Sequence, residues 1–86
     1  MSLEERGGTE EIYLTHDPLE VEIARGLLED AGIEAAVRDL TMRAYPLTLG
    51  LLGEYRLLVP SAEALEARRL LAGATEDGVL VNGEVL

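Results

Sequence analysis

The sequence predicts an α+β fold in which two helices cover one face of a four-stranded antiparallel sheet. Two segments carry apolar residues at helical spacing, and short runs with alternating apolar residues lie before, between and after them. The chain has 86 residues, which is enough for one domain. The element order is therefore β-α-β-β-α-β, and right-handed connections turn this order into a split β-α-β arrangement, the ferredoxin-like two-layer sandwich.

A polar arm over residues 1–10 is expected to precede a single domain over residues 11–86. The strands are predicted at residues 11–15, 33–39, 54–59 and 79–81. Asn82-Gly83 is typical of a tight turn, so the last three residues are expected to fold back. The tail over residues 76–86 is thus either the fourth strand of its own sheet or a segment exchanged with a neighbouring chain.

Each predicted helix has a start signal and an apolar stripe. The helices are predicted over residues 18–31 and 62–72. Asp17 caps the first helix, with Glu20 three residues later as in a capping box, and Ser61 caps the second. The stripes comprise Ile23, Ala24, Leu27, Leu28 and Ala31 in the first helix, and Ala64, Ala67, Leu70, Leu71 and Ala74 in the second. Gly32 and Gly73 are expected to end the helices.

The composition excludes several classes of function. The chain has no cysteine, which removes disulfides, cysteine nucleophiles and thiolate metal sites. Seventeen acidic residues against seven arginines give a net charge of −10, which disfavours nucleic acids and anionic membranes as partners. No apolar run is long enough to span a membrane, and the acidic N-terminal residues do not resemble a signal peptide. We therefore expect a cytoplasmic protein with no cofactor and no metal.

The segment from Leu40 to Gly53, hereafter segment 40–53, is the most unusual part of the chain. It is long for a hairpin loop, and it has no acidic residue although the protein has seventeen. Its large apolar residues are Leu40, Met42, Tyr45, Leu47, Leu49, Leu51 and Leu52. Three interpretations remain open: an extra strand or core-packing segment, a contact between subunits of a dimer or trimer, and a site for a separate ligand or protein partner.

Three arginines lie within or beside this segment. Arg38 and Arg56 are predicted on neighbouring strands, on the sheet face turned away from the helices, and Arg43 lies in the segment itself. Their guanidinium groups are suited to a carboxylate or phosphate ligand. Alternatively, Arg38 and Arg56 pair with Glu34 and Glu54 on the same face.

The open sheet face offers a second surface for subunit contact. It is expected to expose Tyr13, Ala36 and Leu58 among charged residues. His16 is the only histidine and is interpreted as a turn residue. No combination of side chains in the sequence is typical of catalysis.

Residues 12–20 (IYLTHDPLE) and 24–35 (ARGLLEDAGIEA) resemble a small bacterial family described as "putative prokaryotic signal transducing protein". Residues 57–60 (LLVP) and the apolar stripe of the second helix fit the second half of that family, so the resemblance covers residues 11–72. It implies a fold similar to that of the PII nitrogen-regulatory proteins. In those trimers, the loop between the second and third strands contacts partners, and ligands bind near its base. The loop of this chain is shorter and has no nucleotide-binding signature.

The sequence therefore favours a non-enzymatic binding or regulatory module that acts through segment 40–53. The partner is either a second subunit or another protein. The alternative is a PII-like sensor in which Arg38, Arg43 and Arg56 hold a small anion. The predicted binding residues are Arg38, Met42, Arg43, Tyr45, Leu47, Leu49, Leu51 and Arg56.

Overall fold

The computed structural model describes residues 8–39 and 53–86, which form a four-stranded sheet with two helices on one face. The strands are β1 (Thr9–Thr15), β2 (Ala36–Asp39), β3 (Tyr55–Pro60) and β4 (Gly83–Val85). The helices are α1 (Pro18–Asp30) and α2 (Ala64–Glu76). The sheet order is β2-β3-β1-β4, and all neighbouring strands are antiparallel. The predicted α+β, ferredoxin-like sandwich is therefore confirmed.

The core lies between the sheet and the two helices. Its buried apolar residues are Ile12, Tyr13, Val21, Ala24, Leu28, Ile33, Leu57, Val59, Ala64, Ala67, Leu71 and Leu80. The alternation predicted for β3 is confirmed, because Leu57 and Val59 point into this core. The stripe of α1 is rotated from the predicted one: Val21 is buried, whereas Ile23 is 37% exposed.

A β-bulge in β1 decides which residues face the helices. The register between β1 and β3 shifts by one residue just before Tyr13, so Ile12 has no partner of its own on β3. Ile12 and Tyr13 are both fully buried. The prediction that Tyr13 lies on the open face is therefore wrong, and Leu14 occupies that face instead. Ala36 and Leu58 lie there, as predicted, and they are cross-strand partners.

The strand boundaries differ from the predicted ones at the N-terminal side. β1 begins at Thr9, two residues before the predicted start, so the end of the predicted arm belongs to the sheet. Residues 1–7 lie outside the described part of the chain. β2 is confined to Ala36–Asp39, and only Val37 among these four residues is partly buried. β2 is thus a short edge strand, while β1 and β3 form the centre of the sheet.

Helix α2 begins and ends later than predicted. A turn of 3-10 helix over Ser61–Glu63 comes first, and Ser61 makes no capping hydrogen bond. The helix then continues through Gly73 to Glu76. It is followed by Gly78, which has a φ of 79° and makes the left-handed turn that ends a helix. Gly32 ends α1 in the same way, as predicted, with a φ of 82°.

The fourth strand lies further along the chain than predicted. β4 is Gly83–Val85 and pairs with the second half of β1 of the same chain, so residues 79–81 are not a strand and Asn82-Gly83 is not a hairpin turn. The backbone N–H groups of Val79 and Leu80 donate to the carbonyl group of Ala74. These residues therefore continue the end of α2 and are not available for a sheet ladder.

Gly83 is required by a close approach to Tyr13. A Cβ atom at Gly83 would overlap the ring and the hydroxyl group of Tyr13. Tyr13 cannot move aside, because it is fully buried and its hydroxyl group donates to Glu20. The ring of Tyr13 thus occupies the space that a side chain at residue 83 would need, so this position of β4 requires glycine.

We expect Gly83→Ala to destabilise the fold by about 1–3 kcal/mol, the usual cost of overpacking a core. Urea unfolding followed by circular dichroism measures this loss. Gly73→Ala is the matched control. A Cβ atom at Gly73 meets no other atom within 4 Å, so this variant should gain about 0.5–1 kcal/mol.

Tyr13→Leu in the Gly83→Ala background should recover part of the lost stability, because the smaller side chain leaves room for the added methyl group. If Gly83→Ala unfolds at the urea concentration of the unmodified protein, Tyr13 does not occupy this position.

Candidate functional site

Of the eight residues predicted to bind a ligand or partner, the structure describes two, Arg38 and Arg56. The other six are Met42, Arg43, Tyr45, Leu47, Leu49 and Leu51, and they lie outside the described residues. The described part of the chain nevertheless includes Asp39 and Gly53, which flank residues 40–52. The candidate site is therefore built from the arginine pair and from the contacts around Gly53.

Arg38 and Arg56 are direct cross-strand partners on the open face of the sheet. They share the carboxylate of Glu11 on β1, which lies 3.0 Å from Nη1 of Arg38 and 2.6 Å from Nη1 of Arg56. Nε of Arg56 also lies 2.6 Å from the carboxylate of Glu54. Glu11 lies on this face because it precedes the inward-facing Ile12 and pairs with Leu58. The contact of Arg56 with Glu54 is one that the sequence predicts, whereas the contact of both arginines with Glu11 is not predicted.

The charges of this cluster are mutually compensated. The hydrogen bond from Arg56 is the main reason that the pKa of Glu11 lies below its usual range. The hydrogen bonds to Glu11 and then Glu54 raise the pKa of Arg56. Any anion that bound here would compete with two carboxylates already in contact with the guanidinium groups. The described residues of this face thus form an ion-pair network across three strands.

The contact of His16 with Gly53 fixes the end of segment 40–53. Nδ1 of His16 lies 2.5 Å from the carbonyl oxygen of Gly53. A carbonyl oxygen only accepts, so Nδ1 carries the hydrogen atom and Nε2 is left as an acceptor in the neutral ring. Gly53 itself is buried. His16 is therefore more than a turn residue, because it ties the β1–α1 turn to the segment between β2 and β3.

Both neighbours of His16 are bound to Asn82. Oγ1 of Thr15 donates to the carbonyl oxygen of Asn82 over 2.8 Å, and Nδ2 of Asn82 donates to the carboxylate of Asp17 over 3.1 Å. Asp17 also caps α1 as predicted, and the hydrogen bonds it accepts hold its pKa below the usual range, the one from the backbone of Leu19 contributing most. The segment that precedes β4 thus holds the His16 turn in place.

Glu20 does not form the predicted capping box. The N–H group of Asp17, its expected partner, donates to Oγ1 of Thr15 over 3.1 Å instead. The side chain of Glu20 turns inward, where the residue is only 4% exposed. Its carboxylate accepts from the backbone N–H groups of Val81 and Asn82.

The hydroxyl group of Tyr13 is the third donor to Glu20, over 3.3 Å. Burial and then the charge of Glu20 raise the pKa of Tyr13, so the phenol remains a donor at neutral pH. The sequence contains one signal for this role. Glu20 precedes Ala24 by four residues and Leu28 by eight, which places it on the buried side of α1.

Residues 8–39 and 53–86 contain neither a cluster of metal ligands nor a membrane-spanning helix. Within these residues, no three histidine, aspartate or glutamate side chains are grouped so that they could hold a metal ion. Neither helix of this part of the chain is long and apolar enough to cross a membrane.

We expect Glu11→Gln to reduce the loss of stability in acid. The pKa of Glu11 in the folded protein lies below the ordinary value of a glutamate, chiefly because of the hydrogen bond from Arg56. The charged form therefore stabilises the fold above that value, and this contribution is lost as the pH falls through the lower, folded-state pKa. The measurement is the urea midpoint at about pH 7 and about pH 3. The difference between the two midpoints should be smaller in Glu11→Gln than in the unmodified protein.

Glu84→Gln on β4 is the control, since Glu84 makes no ion pair with other described residues. An equal pH dependence in Glu11→Gln and Glu84→Gln would mean that the ion pairs of Glu11 add nothing to stability.

The family of this chain follows from a comparison with known families. The family described as "Putative prokaryotic signal transducing protein" matches residues 9–75, which extend from the start of β1 almost to the end of α2. The match includes His16, the arginine pair and all of segment 40–53. No curated protein matches the chain. The family suggested by the resemblance is confirmed, and the chain belongs to the family of "Putative prokaryotic signal transducing protein".

Proposed function

We propose that this protein is a non-enzymatic regulatory module that acts by binding a protein chain through segment 40–53. The observation that carries this proposal is the composition of the segment. It is apolar and free of acidic residues, although it lies in a domain with a net charge of −10. The description of the family as signal transducing supports a role of this kind.

The charge of the protein explains why the contact would form at this segment. Two acidic surfaces repel one another, so copies of this chain, or acidic partners, approach most easily where negative charge is lacking. Segment 40–53 supplies such a place together with leucine, methionine and tyrosine side chains, which are suited to the buried centre of an interface.

The described residues on either side support a defined position for this contact. Asp39 at the end of β2 pairs with Tyr55 at the start of β3, and His16 holds Gly53. Asp39 and Gly53, the described residues on either side of residues 40–52, thus lie at the end of the sheet where β1 ends and α1 begins. The partner would bind at this end of the sandwich.

The proposal includes no catalysis. This part of the proposal is supported by the contacts of the described polar side chains. Arg38 and Arg56 pair with Glu11, and the ring of His16 is bound to Gly53. A catalytic base requires a nucleophile or an orienting group within hydrogen-bond reach. The contacts of His16 serve the backbone instead.

The test is native mass spectrometry of the gently purified protein and of a Leu49→Asp, Leu51→Asp double variant. We expect the unmodified protein to form a defined complex, either a dimer or trimer or a stoichiometric complex with a second protein. The double variant should lose this complex, because two buried carboxylates in an apolar interface are costly.

Leu65→Asp is the matched control. Leu65 is an exposed leucine of α2, 62% accessible, and it lies outside the segment. This variant should keep the complex, and the melting temperature of each variant establishes that it is folded. A monomer in every sample, or an unchanged complex in the double variant, contradicts the proposed function.

A further inference from the structure

A shallow apolar groove runs between α1 and α2 on the side of the helices that faces away from the sheet. It has a volume of about 370 Å³. Its lining residues are Leu27 on α1, Arg69, Leu70, Gly73 and Ala74 on α2, and Asp77 and Val79 in the segment that follows α2. None of these lining residues belongs to segment 40–53, and only Leu27 and Ala74 among them also pack against the core.

Most of the exposed apolar residues surround this groove. In residues 8–39 and 53–86, the large apolar residues that are exposed are Leu19, Ile23, Leu65, Leu70, Val79, Val81 and Leu86. Leu19 and Ile23 precede Leu27 at intervals of four residues, so the three share one side of α1. The backbone of Val81 lies near the start of α1, because its N–H group donates to Glu20. Leu70 and Val79 thus line the groove itself, and Leu19 and Ile23 lie on the side of α1 that carries Leu27, so apolar exposure is concentrated near the groove, as is typical of a contact site.

Each helix has an interior glycine that the fold does not require. Gly26 and Gly73 both have negative φ angles, and a Cβ atom at either position would meet no other atom within 4 Å. Each glycine costs about 0.5–1 kcal/mol of helix stability relative to alanine. Gly73 lines the groove, and Gly26 follows Ile23 by three residues on the same side of α1. Without these side chains, another backbone can approach both helices closely.

The borders of the groove are predominantly acidic. Glu66, Leu70, Gly73 and Asp77 follow one another along α2 at intervals of three and four residues, and Glu66 and Asp77 are exposed. On α1, Asp30 continues the line of Leu27 and is also exposed. Arg69 is the only cation among the described residues that line the groove. A second copy of this chain, with its charge of −10, would be repelled here, whereas a cationic partner would be attracted.

We propose that this groove binds an amphipathic helix of another protein, with lysine or arginine residues beside its apolar face. Grooves between two helices receive such helices through apolar side chains at positions i, i+3 or i+4, and i+7. These side chains would enter between Leu27 and Leu70, and the backbone of the partner would pass close to Gly73. The cationic residues would then meet Glu66 and Asp77.

The test is a titration of the isotope-labelled protein with three peptides of about 14 residues, which is roughly four helical turns. The first contains leucine and lysine in a helical amphipathic pattern. The second has glutamate in place of lysine, and the third has the composition of the first in an order without helical periodicity. We expect only the first to give saturable shifts of the backbone amide signals, centred on Leu27, Leu70, Gly73 and Val79.

Two leucine substitutions on α2 separate binding in the groove from general attraction to an acidic protein. Gly73→Leu adds a side chain to the groove lining at a position where a Cβ atom meets no other atom within 4 Å, and it should weaken binding of the first peptide by about tenfold or more, which corresponds to about 1.4 kcal/mol. Ala72→Leu adds the same side chain one residue earlier, on an exposed position outside the groove lining, and should leave binding unchanged.

Three results would overturn the proposal. They are the absence of saturable binding, equal binding of the first and third peptides, and equal affinity of Gly73→Leu and Ala72→Leu. We expect both variants to be folded, because neither change removes a buried contact, and a thermal melt of each variant checks this.

Discussion

The buried carboxylate of Glu20 is the interaction on which the rest of this structure depends. It joins α1 to Tyr13 on β1 and to the backbone of Val81 and Asn82 just before β4. A carboxylate removed from water is tolerated only when donors surround it, and two N–H groups and one hydroxyl group do so here. The position of β4 follows from these contacts. The position of the turn that carries His16 also follows from them, because Asn82 is bound to Thr15 and Asp17.

The sequence predicts correctly those features that depend only on neighbouring residues. The cap at Asp17, the end of α1 at Gly32 and the alternation of β3 require no knowledge of the rest of the chain. The errors arise where distant contacts decide. Residues 79–81 are better strand formers than Gly83–Val85, but the tail is positioned by Glu20 and by the ring of Tyr13.

In the candidate site, too, the sequence predicts what neighbouring residues decide and does not predict what distant contacts decide. Alternation along the chain places Arg38 and Arg56 on the open face of the sheet, where the structure has them. Alternation along β1 also places Glu11 on this face, but its contact with both arginines depends on the register between β1 and β3, which a local pattern does not give. The sequence does not predict the groove between the helices, because its lining residues Leu27, Leu70 and Ala74 belong to the two stripes that helical spacing assigns to the core.

The attachment of β4 also bears on how this protein folds. The contact of Glu20 with Val81 closes a loop of 61 residues, whereas β2 and β3 are much closer together in sequence. Closing long loops costs more chain entropy, so distant pairings form slowly. The β1–β4 pair is therefore expected to assemble after the other strands. Contacts that form after the folding transition state lower the unfolding rate. Weakening them therefore accelerates unfolding and leaves the refolding rate nearly unchanged.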